Sequence, residues 1–382
     1  VAPFNSINES VDALEHKIQI ATAGIDLLRD THRSNQALED ILSTIAKAPL
    51  TSGGDVTAFT FAPNSGKVAY IADGSTDDVF ELYAVNPNGT GHAKISGTMT
   101  LGGDVSSFRI TPNSSKAVYL ADETTDGQFT LQSVNLDGTS AALVSGVLTG
   151  AGDVTLYTIS ASGSKVVYLA DATTDGMNEL FSVNLDGTSL VQLNGSLPVG
   201  ASVTGFDVSP DSSRAVYLAD ENSLGVTELF SVTLAGTGRT TLNGSLATNG
   251  DVTTFMIAPN SGRVVYLADE TTDGIIELYS VTLAGAAHLK LNSALIAGGN
   301  VTGFSIASNS AKVAYVADQT SNDVFELFGT PIAGGAVTRV NADYPLGGDT
   351  LGLPLILPDS SGVVYRGDQA TDTVDELFIS AF

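Results

Sequence analysis

The sequence predicts an all-β protein, a seven-bladed β-propeller of four-stranded antiparallel blades, preceded by an N-terminal α-helical segment. The prediction comes from an internal repeat, from four strand patterns in each copy of it, and from a different composition before the first copy. The repeat advances in steps of 49 residues, and one residue is inserted in the last copy. Its landmarks are an opening residue (Asp55, Asp104, Asp153, Ser202, Asp251, Asn300 and Asp349) and a tyrosine (Tyr70, Tyr119, Tyr168, Tyr217, Tyr266, Tyr315 and Tyr365).

Residues 1–42 precede the repeats and are predicted to be helical. Ser6 and Glu9 stand at the spacing of a capping box, which marks a helix start. Two readings remain open: the helix associates with copies of itself or docks into a larger structure, or it folds back on the propeller. The candidate contact residues follow the spacing of a heptad seam, and they are Val11, Leu14, Ile18, Ala21, Ile25 and Leu28.

Each repeat contains four predicted strands, which the fifth copy illustrates. The first alternates apolar and polar residues around Phe255 and Ile257, and the second is the apolar run 264–268, typical of a strand buried on both faces. The third covers residues 277–281, and the fourth is a short stretch at 289–291. Seven copies of four antiparallel strands are the pattern of a β-propeller, whereas a solenoid would need atypical capping repeats, which are not seen.

The propeller is expected to cover residues 43–382, although its last copy reaches only the end of the third strand. The stretch just before the first copy, residues 43–50, aligns with fourth-strand segments such as 191–197. We therefore expect residues 43–50 to supply the outer strand of the last blade. This pairing would close the ring and leave no open strand edge at the seam.

The repeat resembles the WD40-like (PD40) repeat of TolB-type propellers. Residues 209–211 read Ser-Pro-Asp and lead into an apolar strand that reaches Tyr217, and a strand of the third blade ends in Asp186-Gly187. In that family the repeat runs Ser-Pro-Asp-Gly, an apolar strand, Asp, and a second strand that ends in Asp-Gly. The resemblance covers about residues 43–382 and implies binding or scaffolding more often than catalysis. The loop after the second strand is longer here, and no partner-binding motif can be carried over.

The composition is acidic, with 42 Asp and Glu against 16 Lys and Arg and a formal net charge of −26 at pH 7. Such a charge disfavours binding of nucleic acid through its phosphates, and the lack of cysteine excludes disulfides and thiolate metal sites. No apolar run of about 18 residues predicts a membrane span. Because strands alternate in direction, most acids are predicted at the edge where first strands begin, second strands end and third strands begin. We call this edge the loop face and the opposite edge the turn face.

The loops between second and third strands predict a Ca²⁺ site. Oxygen ligands at positions 1, 3, 5 and 9, with glycine at position 6 for the turn, suit this ion. The third blade offers Asp171, Thr173, Asp175 and Glu179, the fifth Asp269, Thr271, Asp273 and Glu277, and the first Asp73, Ser75, Asp77 and Glu81. The other reading is plain turn chemistry, because Asp accepts local backbone N–H bonds and Gly takes up positive φ.

Little in the sequence predicts catalysis. The four histidines are scattered, and His92 and His288 lie on fourth strands, where such side chains are usually solvated. The acids repeat almost identically, whereas a catalytic pair places its two groups in different environments. We therefore expect a non-enzymatic structural or scaffold protein that assembles or docks through its helix and displays an acidic face open to Ca²⁺.

Two other functions remain open. One is a secreted or periplasmic TolB-like protein-binding module, and the other is a carboxylate-dependent hydrolase. An extracellular, cell-surface or virion-associated location is expected rather than a cytoplasmic one. Protein partners or self-association through the helix are expected, and neither nucleic acid nor a membrane span is.

Overall fold

The computed structural model describes residues 54–344, 347–371 and 373–382. These residues form 27 β-strands in seven antiparallel sheets, the blades, and they form no helix. None of the described residues therefore belongs to a helix long and apolar enough to cross a membrane.

The strand bounds follow the repeat closely. Blade one contains β1 (Val56–Phe61), β2 (Val68–Ala72), β3 (Glu81–Val85) and β4 (Ala93–Lys94), and blade two contains β5 (Val105–Ile110), β6 (Lys116–Ala121), β7 (Thr130–Asn135) and β8 (Ala142–Leu143). Blade three contains β9 (Val154–Ile159), β10 (Lys165–Ala170), β11 (Glu179–Asn184) and β12 (Val191–Gln192), and blade four contains β13 (Val203–Val208), β14 (Arg214–Ala219), β15 (Glu228–Thr233) and β16 (Thr240–Thr241). Blade five contains β17 (Val252–Ile257), β18 (Arg263–Ala268), β19 (Glu277–Thr282) and β20 (Leu289–Lys290), and blade six contains β21 (Val301–Ile306), β22 (Lys312–Ala317), β23 (Glu326–Pro331) and β24 (Thr338–Arg339). Blade seven contains β25 (Thr350–Ile356), β26 (Gly362–Gly367) and β27 (Glu376–Ala381).

The strands of every blade pair in chain order. In blade five, Val265 of β18 lies opposite Met256 of β17 and Ser280 of β19. The second strand is thus central and buried on both faces, and the first strand is an edge strand. The predicted all-β fold of seven antiparallel blades is confirmed.

Apolar clusters lie between consecutive blades and form the core. Between blades four and five, Val216 and Leu229 pack with Val264 and Tyr266. Similar clusters join each consecutive pair of blades from the first to the seventh. Tyr266 is fully buried and stacks on Tyr279 with 5.5 Å between ring centroids. Burial of this large ring explains why tyrosine recurs at the repeat period.

Hydrogen bonds also join neighbouring blades at the loop face. The backbone N–H of Thr227 in blade four donates to Oδ1 of Asp251 in blade five, at 2.6 Å. The N–H of Asp251 in turn donates to Oδ1 of Asp269, at 2.5 Å. Side chains that open the first strands accept in the same way at the other boundaries from blade one to blade seven, with Ser202 and Asn300 in two of them. The opening residue recurs because it links one blade to the next.

Blade seven differs from the others because β27 pairs only with β26 within the described residues. Leu377 and Ile379 of β27 are 73% and 56% exposed, whereas Leu82 at the position of Leu377 in blade one is buried. No apolar cluster of the described residues joins blade seven to blade one. Residues 43–50, expected to complete this blade, lie outside the described residues, as does the helical segment 1–42 with its seam. The domain division and the added strand stay predictions.

Candidate functional site

The loop face brings together the strand ends that the sequence assigned to it. The N–H of Asp104, before β5, donates to Oδ1 of Asp122, after β6, at 2.6 Å. Oδ1 of Asp104 accepts from the N–H of Phe80, just before β3 of the preceding blade, at 2.7 Å. The end of β4 joins them, since the N–H of Gly97 donates to Oε1 of Glu123 at 2.8 Å. Carboxylates of neighbouring blades therefore share one edge of the protein.

The aspartate that closes each second strand is held by backbone donors, and it is buried in every blade except the fourth. Asp171 accepts the N–H of Asp153 at Oδ1 (2.5 Å) and that of Gly176 at Oδ2 (2.9 Å). Burial raises the pKa of the Asp171 carboxyl, but these hydrogen bonds outweigh it and hold the pKa below its ordinary value. Asp73 and Asp269 accept equivalent bonds in blades one and five. Position 1 of each predicted loop thus has a structural role of its own.

The loop of blade three brings its other predicted ligands together in pairs. Oγ1 of Thr173 donates to Oε2 of Glu179 at 2.7 Å, and Oε1 of Glu179 accepts from Nε2 of Gln192 at 3.0 Å. Asp175 is exposed and lies close enough to the Asp171 carboxyl to contribute to its lowered pKa. Within the described residues, none of these three acids has a basic partner at ion-pair distance.

The corresponding glutamates of blades five and one have a lysine partner instead. Glu277 accepts from Nζ of Lys290 at 2.8 Å and from Oγ1 of Thr271 at 2.7 Å, while Asp273 is exposed at the tip of the loop. Burial raises the pKa of Glu277, but the bonds from Lys290, Tyr279 and Thr271 outweigh it and lower the pKa. The first blade repeats this arrangement with Glu81, Lys94, Ser75 and an exposed Asp77.

The remaining loops depart from the pattern. Thr130 replaces the glutamate in the second blade, and Leu224 and Asn322 stand at position 5 in the fourth and sixth. In the part of the chain that the structure describes, no group of three or more His, Asp or Glu side chains could hold a metal ion. The predicted ligands are therefore on one face and partly paired, and a Ca²⁺ site built from them stays a prediction.

Basic side chains lie at the turn face. Nζ of Lys116 donates to the carbonyl oxygen of Ser140 at 3.1 Å, and Nη1 of Arg263 donates to that of Ala287 at 3.2 Å. Both carbonyls belong to turns between third and fourth strands. The basic residues that open second strands therefore lie at the edge opposite the loop acids, whereas Lys94 and Lys290 of the fourth strands reach loop-face glutamates.

A second set of polar links at the loop face was missed by the sequence reasoning. Four residues after the repeat tyrosine, Oε1 of Glu270 accepts from Tyr266 Oη at 2.6 Å and from the N–H of Gly244 in the preceding blade at 2.7 Å. The residues that form the same link elsewhere are Glu123, Glu221, Gln319 and Gln369. The constant spacing from the tyrosine is the signal that could have revealed them.

His288 takes part in one of these links. Its ring stacks on Tyr279 with 5.3 Å between centroids, and Nε2 lies 2.7 Å from Oη of Tyr266. Nε2 is also 3.2 Å from Oε1 of Glu270. His288 is exposed, as expected, and it meets this link with one edge of its ring.

The sequence matches no family model, and no curated protein matches it either. Among solved structures the chain is similar to an oligogalacturonate lyase in complex with manganese, at 12% identity and a TM-score of 0.41, over 84% of this chain and 87% of that one. It is similar to an oligogalacturonate lyase from Vibrio parahaemolyticus at 13% identity and a TM-score of 0.42, over 87% and 92%. A structure from a study of two prolyl endopeptidases shares 11% identity at a TM-score of 0.45, over 92% of this chain and 54% of that chain, so this chain spans about half its length.

These comparisons correct two expectations. All three structures are of enzymes, so the non-enzymatic scaffold and the absence of catalysis expected from the sequence are not kept as conclusions. The acids are nearly identical between blades, but a propeller can host binding and catalysis alike. At these identities the likeness concerns the fold alone, so no substrate or reaction passes to this chain. The PD40 resemblance has no family-model match to support it.

Proposed function

We propose that the loop face binds cations and that the loop of blade three is a Ca²⁺ site. The observation that carries the proposal is the group of Asp171, Asp175 and Glu179, whose carboxylates have no basic partner within the described residues. Carboxylate and hydroxyl oxygens are the ligands that Ca²⁺ prefers. The proposal requires Asp175 and Glu179 to turn towards one ion beside Asp171, and it assigns no reaction to the protein.

The loops of blades five and one are expected to bind Ca²⁺ more weakly. Lys290 and Lys94 already balance the charges of Glu277 and Glu81, at 2.8 and 2.6 Å. A cation must displace the ammonium group before it can use these glutamates. In blade three Gln192 stands at the corresponding position and carries no charge. The proposal therefore ranks the third blade ahead of the other two.

The distribution of charge supports cation binding at this face. The chain carries a formal charge of −26, and exposed acids such as Asp77, Asp126, Asp175 and Asp273 stand at the tips of the loops. Like charges on one face repel each other and destabilise the compact state, and bound cations relieve this repulsion. Extracellular modules bind Ca²⁺ with Kd of about 10⁻⁴ to 10⁻³ M, which suits an exposed loop and the proposed extracellular location.

Calorimetric titration of the metal-free full chain with CaCl₂ tests the proposal. One site is expected to be strongest, and Asp175→Asn or Glu179→Gln should weaken it by about tenfold or more. Asp273→Asn, the matched change in blade five, should leave it unaltered. Because the ion binds the native state, excess Ca²⁺ should also raise the melting temperature. Absence of both heat and melting shift would overturn the proposal, and an equal loss in Asp273→Asn would remove its assignment to blade three.

The seam on residues 1–42 supports a separate proposal, self-association or docking through this segment. The apolar spacing from Val11 to Leu28 is the supporting observation, together with the protein-binding role that the PD40 resemblance implies. Light scattering on the full chain and on a chain lacking residues 1–34 checks self-association. An oligomer that becomes a monomer on truncation supports it. If both the full chain and the truncated chain are monomers, self-association is rejected and only docking into another structure is left.

A further inference from the structure

One basic side chain lies on a first strand of this acidic protein and forms no ion pair within the described residues. Arg109 belongs to β5 and is the only basic residue in the seven first strands, all of which the structure describes. It is exposed, and within the described residues its guanidinium forms no hydrogen bond and no ion pair. Other blades have neutral or acidic residues at this repeat position, namely Thr60, Thr158, Asp207, Met256 and Ser305.

Tyr157 of β9 holds the guanidinium in place from the next blade. Cζ of Arg109 lies 5.7 Å from the centroid of the Tyr157 ring, within the range of a cation–π contact. Tyr157 is buried, and its hydroxyl donates to the carbonyl oxygen of Val118 on β6, at 3.3 Å. The first strands of blades one, two, four, five and six have phenylalanine at this position. Among blades one to six, the hydrogen bond from a ring hydroxyl is therefore possible only in blade three. The ring fixes the arginine without using its N–H groups.

The two residues line a cleft of about 270 Å³ between blades two and three. Leu156 of β9 forms the apolar wall of the cleft and is 45% exposed. Leu120 and Thr155 also line the cleft. At the position of Leu156 the other first strands from blade one to blade six have Ala58, Ser107, Gly205, Thr254 and Gly303. The cleft is somewhat smaller than the pockets that take drug-sized ligands, which are about 300 Å³ or more.

We propose that this cleft binds a small monocarboxylate with an apolar body. The planar guanidinium of Arg109 can donate two parallel N–H···O bonds to a carboxylate. The apolar part then lies against Leu156 and the edge of Tyr157. A ligand with several negative charges is disfavoured, because the protein itself carries a formal charge of −26. This cleft lies on first strands and shares no residue with the Ca²⁺ loops, so the two proposals are independent.

Fluorine NMR with 4-fluorobenzoate as the probe tests the inference on the full chain. Saturable binding of 4-fluorobenzoate is expected. The neutral analogue 4-fluorobenzamide lacks the charge, so its affinity should be at least about tenfold lower. Arg109→Gln should weaken benzoate binding by about tenfold. Leu156→Ala, which introduces the residue of blade one, should weaken benzoate and benzamide by a similar factor. Lys116→Gln is the matched control, since it removes a positive charge of the same blade at the turn face.

The affinities of the variants distinguish binding in the cleft from attraction by general charge. Loss of binding in Arg109→Gln with retention in Lys116→Gln, at an unchanged melting temperature, supports the cleft. If Arg109→Gln melts lower, the Leu156→Ala titration and the comparison of benzoate with benzamide decide instead. A wild-type titration that does not saturate, equal binding of benzoate and benzamide, or equal losses in Arg109→Gln and Lys116→Gln would each overturn the inference.

Discussion

Phe382 lies directly beside Gly329 and fills the space above this strand position. A Cβ atom on Gly329 would lie 2.7 Å from Cε2 of Phe382. Blades two to five have serine where blade six has Gly329, and Leu283 of blade five stands where blade seven has Phe382. The larger ring and the missing side chain compensate for each other, which keeps the boundary between blades six and seven close-packed.

Gly329→Ser is expected to destabilise the protein by about 1–3 kcal/mol, because the new side chain overlaps the Phe382 ring. Phe382→Leu should cost about 1 kcal/mol through the void that it leaves. The double variant recreates the serine–leucine pair of Ser231 and Leu283 and should recover most of the Gly329→Ser loss. Urea unfolding of all four proteins measures this. Strictly additive losses would show that the two residues do not compensate for each other.

The hydrogen bond between Thr227 and Asp251 predicts a difference between two substitutions. Asp251→Ala should lower the free energy of unfolding by about 1–3 kcal/mol, since the partly buried N–H of Thr227 then lacks its acceptor. Asp251→Asn should change it little, because Asn300 accepts the N–H of Ile276 in the same way at 2.8 Å. Urea unfolding compares the two variants. Equal losses would mean that the acceptor oxygen does not hold the blades together.

Asp171 predicts a loss of stability in acid. Its pKa in the folded protein lies below the ordinary value of 3.8, so the unfolded chain takes up a proton first as the pH falls. The stability from this group is present above about pH 4 and is lost as the pH falls through the folded pKa. Asp171→Asn removes this titration, and its free energy of unfolding should depend less on pH between about 5 and 3. Parallel curves for wild type and variant would contradict the prediction.

Glu221 predicts a dependence of the opposite sign. Burial raises its pKa, and hydrogen bonding to Tyr217 and the charge of Arg239 oppose this only in part. A raised folded pKa gives stability below the unfolded pKa that is lost as the pH rises through the folded one. Glu221→Gln introduces the residue found at Gln319 and Gln369. The stability of this variant relative to wild type should therefore rise from about pH 4 to pH 7. Thermal melts measure the difference, and a gap that is constant over this range would refute the idea.

The predicted outer strand of blade seven can be tested by a cross-link, because the chain has no cysteine. In blade one Ala84 lies opposite Ala93, and the repeat then places Thr44 opposite Ile379. Thr44→Cys combined with Ile379→Cys should form an intramolecular disulfide, and Ile45→Cys with Ile379→Cys should form it less readily. Non-reducing gels read out both. A disulfide-linked dimer would indicate exchange of the segment between chains, and the absence of any disulfide would reject the pairing.

The period of the sequence was enough to predict the strands, because alternation and turn residues are local signals. Each second strand, such as Arg263–Ala268, lies where the apolar run placed it. The links made by Glu270 were missed, because one donor, the N–H of Gly244, belongs to the preceding blade. The expectation that the protein is not an enzyme failed for a related reason, since the symmetry of a repeat does not limit what chemistry a fold can host.

The sequence by itself determined the number of blades, the order and direction of the strands that the structure describes and the edge at which most acids lie. Only the tertiary structure decided which acids are already balanced. Glu179 and Glu277 occupy the same place in nearly identical loops, yet one lies beside Gln192 and the other beside Lys290. It also decided that Arg109 meets Tyr157 across a blade boundary. Strand periodicity is written in adjacent residues, whereas the partner of a side chain comes from another strand or blade that only the packed fold brings within contact distance.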